Sequence, residues 1–139
     1  LPVLVLPRWG HGLFSQEVVA ILCGVAAILG HFRPIFLNFG KGGKGVATAT
    51  GVFLALAPLP TLAGLAVFAV VVLATGYVSL GSLIGAVVLP SLLLVTEGIR
   101  SPVFQVSVVL AAFVFWTHRA NIRRLRRGEE YRFGRKAEG

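Results

Sequence analysis

Residues 30–51, GHFRPIFLNFGKGGKGVATATG, hold the densest set of groups in the chain that could bind an anion. Gly40, Gly42, Gly43 and Gly45 carry no side chain, so backbone N–H groups there can turn into one concavity. Lys41 and Lys44 place two cations beside those donors. The run Val46-Ala47-Thr48-Ala49-Thr50 can then start a helix, whose first N–H groups are also unpaired. Such an arrangement suits phosphate. It is not a Walker loop, because Gly45 follows Lys44 and Asn38 stands in the first glycine's place. Gly40, Gly42 and Gly45 have the spacing of a dinucleotide fingerprint, but that motif needs an acidic residue about 20 positions on. No carboxylate occurs between Glu17 and Glu97. The plainer reading is a basic loop between membrane helices, drawn to anionic lipid.

Four other places hold groups of interest. His118, Asn121, Ile122 and Leu125 recur at i, i+3, i+4 and i+7, which puts His118 and Asn121 on one helix face. Histidine exchanges hydrogen-bond roles near neutral pH, and asparagine both donates and accepts. His31, just after a predicted span, can point into a phosphate site or only cap its helix. Ser79 and Ser82 flank Leu80 and Gly81; serines in membrane helices often bond back to their own carbonyls. Glu129 and Glu130 are adjacent, so they do not face one another on a helix and make a poor catalytic pair. Either can clamp the neighbouring arginines. With five carboxylates, all Glu, and one cysteine, Cys23, in an apolar run, no metal and no other cofactor is indicated.

GHFRPIFLNFGKGGKGVAT resembles the second motif of the PlsY family, bacterial acyltransferases that use acyl phosphate and glycerol 3-phosphate. HRANIRRLRRGEE, from His118 to Glu130, is similar to that family's third motif. The resemblance implies a fatty acyl transfer from acyl phosphate to the 1-hydroxyl of glycerol 3-phosphate, giving lysophosphatidic acid in phospholipid synthesis. It implies that Lys41, Gly42, Gly43, Lys44, Gly45 and Thr48 hold phosphate, with His31, Ser79 and Ser82 beside them. His118 and Asn121 then act on the glycerol hydroxyl, and Glu130 is structural. The family's first motif, with its serine and arginine, lies before the point where this sequence begins, so these residues alone are expected to be inactive. Two other classes stay open: a small transporter with a broken-helix anion path, and a non-catalytic lipid-binding membrane subunit.

The elements that position these groups follow from composition. The 139 residues are 56% hydrophobic and 13% charged, whereas a soluble domain is about 25% charged. We therefore expect an all-α polytopic membrane protein, one integral domain over 1–139 whose basic tail is 118–139. The net charge of +8 could suggest nucleic acid. The basic residues cluster at the ends of apolar spans, however, where lipid or a phosphorylated substrate is the simpler partner. No nucleic-acid partner is expected, and the oligomeric state is open.

Leu1 to Leu6 reads as a helix stub, and Ser15 as the N-cap of a helix from Gln16 to about Gly30. Apolar runs then cover 46–57, 61–75, 80–95 and 103–117, giving about five spans. Pro58-Leu59-Pro60 and Gly76-Tyr77-Val78-Ser79 separate them, and Pro90 suggests a kink. Gly24, Ala26 and Ala27 are small enough to receive a further helix. Eight of the 13 basic residues follow His118. The positive-inside tendency puts that tail and the glycine loop in the cytoplasm of a bacterial inner membrane, with four spans between them.

Overall fold

The computed structural model describes residues 16–32 and 45–134. Leu1 to Leu6 and Ser15 lie outside them. Among the described residues the fold is six helices and no strand: α1 (Gln16–Phe32), α2 (Val46–Leu56), α3 (Pro58–Thr75), α4 (Val78–Thr96), α5 (Pro102–Thr117) and α6 (Arg119–Arg127). The five expected apolar segments are thus helical, as α1 to α5. Two of them, α3 and α4, are long and apolar enough to cross a membrane alone. The 16 residues of α5 reach that length only together with α6, from which it is bent by 57°. The two remaining apolar helices, Val18–His31 and Val46–Leu56, are shorter. The 11 residues of α2 rise about 16 Å at 1.5 Å each, against a hydrocarbon core of about 30 Å.

The boundaries shift in two instructive places. Pro58 and Pro60 lie inside the first turn of α3 rather than before it. Proline has no N–H to lose there and its φ is already helical. The break is the single residue Ala57, at φ −146° and ψ 76°. Val78 and Ser79 belong to α4, which starts directly after Tyr77 and runs through Pro90 to Thr96.

The distribution of polarity is the reverse of a soluble domain's. Leu59, Leu73, Val95 and Val109 point outward, while Thr61, Ser79, Ser82, Ser107, His118 and Asn121 are buried. Apolar exteriors of this kind belong in lipid, where helices associate through close packing and interior polar groups. The core has two parts, one around Phe53 and Leu93 and one around Ile28 and Val52. Helices α3, α4 and α5 pack in sequence, and α1 lies on α2.

Small residues set how closely the helices approach. Gly24 does not wait for a further helix: a Cβ there would collide with Val52 of α2. Ala26 is exposed. At Gly81 a Cβ would lie 2.8 Å from Val72 Cγ2 and 2.9 Å from Phe68 Cδ2, both on α3.

After α6 the chain reverses. Gly128 takes φ 71°, a conformation that only glycine adopts without penalty. Its N–H donates to the Leu125 carbonyl and that of Glu129 to Arg124, at 3.2 and 2.9 Å. These are the two bonds of a Schellman ending. The returning strand of chain is fastened where the Phe133 N–H meets the Gly76 carbonyl at 2.7 Å, which ties the tail to the α3–α4 turn.

The packing at Gly81 makes a test. Gly81→Leu should lower stability by about 1–3 kcal/mol through overpacking against Phe68 and Val72. Gly51→Leu, on an exposed face with open space around its Cβ position, should stay within about 0.5 kcal/mol. Thermal melts of the two purified variants in one detergent give the comparison.

Candidate functional site

Four segments and a returning tail line an open polar cavity of about 340 Å³. The end of α1 contributes His31, the entry to α2 contributes Gly45 to Ala47, and the first turns of α4 contribute Val78, Ser79 and Ser82. His118 and Asn121 come from the bend between α5 and α6, and Glu130 and Tyr131 from the tail. The cavity is therefore assembled from residues nearly 100 positions apart, which only the helix packing brings together.

His118, Asn121 and Glu130 are each held by a specific partner. His118 is 2% exposed and sits at the junction itself, with φ −91° and ψ 6°. Its Nδ1 lies 2.8 Å from the Val114 carbonyl. A carbonyl can only accept, so Nδ1 carries a proton and Nε2 is the ring nitrogen left to face another group. Asn121, one turn further along the bent helix, is also buried. Its Nδ2 donates to Glu130 Oε1 at 2.5 Å. Arg124 Nε donates to the other carboxylate oxygen at 2.7 Å, and the Glu130 side chain is only 6% exposed.

Burial raises the Glu130 pKa, but the hydrogen bond from Asn121, the nearby Ser79 hydroxyl and the Arg124 donor and charge together outweigh it. The net shift is downward from 4.5. The two serines part company. Ser82 Oγ donates back to the Val78 carbonyl at 3.0 Å, the local bond expected of a helix serine. Ser79 Oγ is buried and meets the geometry of a hydrogen bond with no group among the described residues. A buried hydroxyl in that condition asks for a partner, and its own wall of the cavity is where one could sit.

The expected site residues are thus largely gathered: His31, Gly45, Ser79, Ser82, His118, Asn121 and Glu130 all line one cavity. Thr48 is half-buried in the first turn of α2 and does not. Lys41, Gly42, Gly43 and Lys44 lie outside the described residues. Gly45, at φ 76°, closes the glycine run at the cavity wall and turns into α2. Tyr131, 75% exposed at the rim, was not foreseen; its only signal is that it follows Glu130. Among the arginines, Arg119 stacks over Trp116 at 4.9 Å from the ring centroid and donates to the Trp116 carbonyl. Arg119 and Arg124 are therefore engaged locally, while Arg123, Arg126 and Arg127 are exposed.

The profile of the Glycerol-3-phosphate acyltransferase family matches residues 1–128. The chain is 48% identical over 134 residues to the glycerol-3-phosphate acyltransferase of Geobacter sulfurreducens, covering 96% of this chain and 66% of that protein. Against that of Geotalea daltonii it is 44% identical over 135 residues, covering 97% and 66%. The chain thus spans slightly under two thirds of the length of these relatives. The fold is similar to the crystal structure of PlsY, an integral membrane glycerol 3-phosphate acyltransferase, in its glycerol 3-phosphate form. There the TM-score is 0.78 at 40% identity, over 84% of this chain and 57% of the other. The lysophosphatidic acid form aligns at 0.77.

Replacing the carboxylate tests how the wall is held. Glu130→Gln keeps the shape but loses the charge that Arg124 faces, so the Phe133 and Glu129 amides should exchange with solvent about tenfold faster. The pH dependence has a definite sign. A depressed carboxyl pKa gives a tie that is complete above 4.5 and lost as pH falls through the lower folded value. Wild-type amides should therefore lose protection only in acid, and Glu130→Gln should show no such acid step.

Proposed function

Because the chain belongs to the glycerol-3-phosphate acyltransferase family, we propose that the protein transfers a fatty acyl group from acyl phosphate to the 1-hydroxyl of glycerol 3-phosphate. The product is lysophosphatidic acid, the first lipid of phospholipid synthesis. One observation carries the reading: the polar cavity lies directly beside an apolar one. Val46, Ala47, Val78 and Ser82 line both. The second cavity, about 500 Å³, runs between α2, α3, α4 and α5. Its four hydroxyls are spent on their own helices: Thr50 on Val46, Thr61 on Ala57, Ser82 on Val78 and Ser107 on Phe104, at 2.6 to 3.0 Å. What remains facing the space suits hydrocarbon. A donor with a phosphate head and a fatty tail fits the pair of cavities as one molecule. A transporter path or a purely lipid-binding subunit gives no reason for a buried, oriented histidine in the wall of the polar cavity.

The chemistry then divides among named groups. The glycine loop, with Lys41, Gly42, Gly43, Lys44 and Gly45, binds phosphate and stabilises the charge that develops as the acyl–phosphate bond breaks. Thr48, one turn into α2, supports that end. His118 Nε2 accepts a hydrogen bond from the glycerol 1-hydroxyl, and Asn121 fixes its direction. The hydroxyl oxygen attacks the acyl carbon, an ester C–O bond forms as the acyl C–O bond to phosphate breaks, and the hydroxyl proton leaves with the phosphate. Ser79 supplies a buried hydroxyl at the Glu130 end of the cavity, and His31 a further donor at the rim. Glu130 holds Asn121 in place and touches no substrate.

Placement follows from charge. The exposed arginines of α6 and the Lys41–Lys44 loop favour the cytoplasmic side of a bacterial inner membrane. Cysteines introduced at Lys41 and at Arg127 should both resist impermeant thiol reagents in intact cells and react after lysis. Labelling of one from outside would overturn this topology.

The activity is tested in vesicles containing the full-length protein. Acyl phosphate and glycerol 3-phosphate should yield lysophosphatidate and inorganic phosphate in equal amounts. His118→Ala should lose about 100-fold in kcat/KM, the scale of a lost positioning contact, with an unchanged melting temperature. Full activity in that variant would remove histidine from the mechanism, and no product from the parent would remove the acyltransferase reading itself.

A further inference from the structure

The glycines of the bundle fall into two kinds. Gly24 and Gly81 are contact glycines, since a Cβ at either would run into a side chain of the neighbouring helix. Gly64 and Gly85 are different. Both lie well inside their helices, α3 and α4, and both line the apolar cavity. A Cβ at either would meet nothing within 4 Å. Glycine is among the poorest helix formers, and here no protein neighbour among the described residues requires it. What requires it is the space.

Register places the two together. Gly81 rests between Phe68 and Val72. Moving one turn deeper, away from the polar cavity, α4 reaches Gly85 while antiparallel α3 reaches Gly64 from Phe68. The cavity-lining stripe of α4 runs Val78, Ser82, Gly85, Ala86, Leu89, Pro90. From Val78 to Pro90 it rises about 18 Å at 1.5 Å per residue, and Gly85 stands a little past halfway.

We infer that Gly64 and Gly85 set the length of acyl chain that the protein accepts, by leaving the cavity open at mid-depth for a long saturated chain. The inference rests on the acyltransferase reading above and extends it from the head of the donor to its tail. The occupant is the hydrocarbon tail because the apolar cavity adjoins the polar one, with Val46, Ala47, Val78 and Ser82 lining both. A side chain at either glycine would fill the bore at that level. Tail atoms beyond it would lose their place, while a shorter tail would still fit.

The test compares Gly64→Leu and Gly85→Leu with the parent and with Gly51→Leu, whose site faces away from the cavity. All are made in the full coding sequence and assayed with octanoyl and palmitoyl phosphate. The ratio of kcat/KM for octanoyl over palmitoyl should rise about tenfold in the two cavity variants, the scale of one misplaced methylene or more. It should not move in Gly51→Leu, and the melting temperatures should be unchanged or higher. Equal losses with both donors, accompanied by a lower melting temperature, would mean that another segment of the protein fills the cavity, and would overturn the inference. An unmoved ratio at full activity would overturn it as well.

Photolabelling of the parent with diazirine-bearing palmitate separates the two claims. Crosslinks on α3 and α4 that vanish in the leucine variants support the gauge even if no lysophosphatidate forms, in which case only the acyltransferase reading falls. Transfer by the parent with crosslinks elsewhere removes the gauge alone.

Discussion

Asn121 and Glu130 are nine residues apart and joined by a hydrogen bond of 2.5 Å, and the polar cavity depends on what that bond demands. The carboxylate is nearly buried, and a buried charge is costly unless it is paired and hydrogen-bonded. Arg124 and Asn121 meet that demand, but only if the chain reverses at Gly128 and only if α6 leaves α5 at an angle. The 57° bend turns the Asn121 face toward the first turn of α4, and the reversal brings Glu130 back across it. His118 sits at the bend and is itself held by the last full turn of α5. One ionic group thus obliges a kink, a turn and a tail to agree.

That agreement matters more in this protein than it would in water. Lipid tails are as apolar as leucine, so the outward-facing Leu59, Leu73 and Val95 contribute little to holding the helices together. Cohesion comes from close approach, as at Gly24 and Gly81, and from interior polar pairs. Close approach and open space are in competition along the same helices. Within one turn of α4 the chain goes from a glycine jammed against Phe68 to a glycine facing a void. The bundle is tight near the polar end and hollow behind it.

Much of this was legible in the residues. The order of helices follows from apolar runs separated by proline and glycine, and the pairing of His118 with Asn121 follows from helical spacing alone. That Glu129 or Glu130 clamps the arginines, and that the two are no catalytic pair, follows from their adjacency and from the arginines around them, while the choice of Glu130 comes from the family resemblance. Other features needed coordinates. Nothing in the sequence separates Ser79 from Ser82, because the difference is which hydroxyl finds its own carbonyl. Proline signals interruption, yet Pro58 and Pro60 start a helix because the first turn has spare N–H groups. The glycines are the plainest case: Gly24, Gly81, Gly64 and Gly85 look alike in sequence, and only neighbours on another helix reveal which are contacts and which are vacancies. Thr48 was drawn in by its place in a motif, and helical rotation carries it off the cavity wall.

The tie between the Phe133 N–H and the Gly76 carbonyl also bears on the order in which the molecule can be finished. A ribosome delivers α1 to α5 to the membrane first, and those helices can settle by packing as they arrive. The polar cavity at that stage lacks a wall, since Glu130 and Tyr131 are the latest of its lining residues to be synthesised. Asn121 and Arg124 precede by only a few residues the carboxylate that they bind. The helices α1 to α5 are therefore made before the wall that completes the polar cavity, so that the bundle has its spans before it has its chemistry.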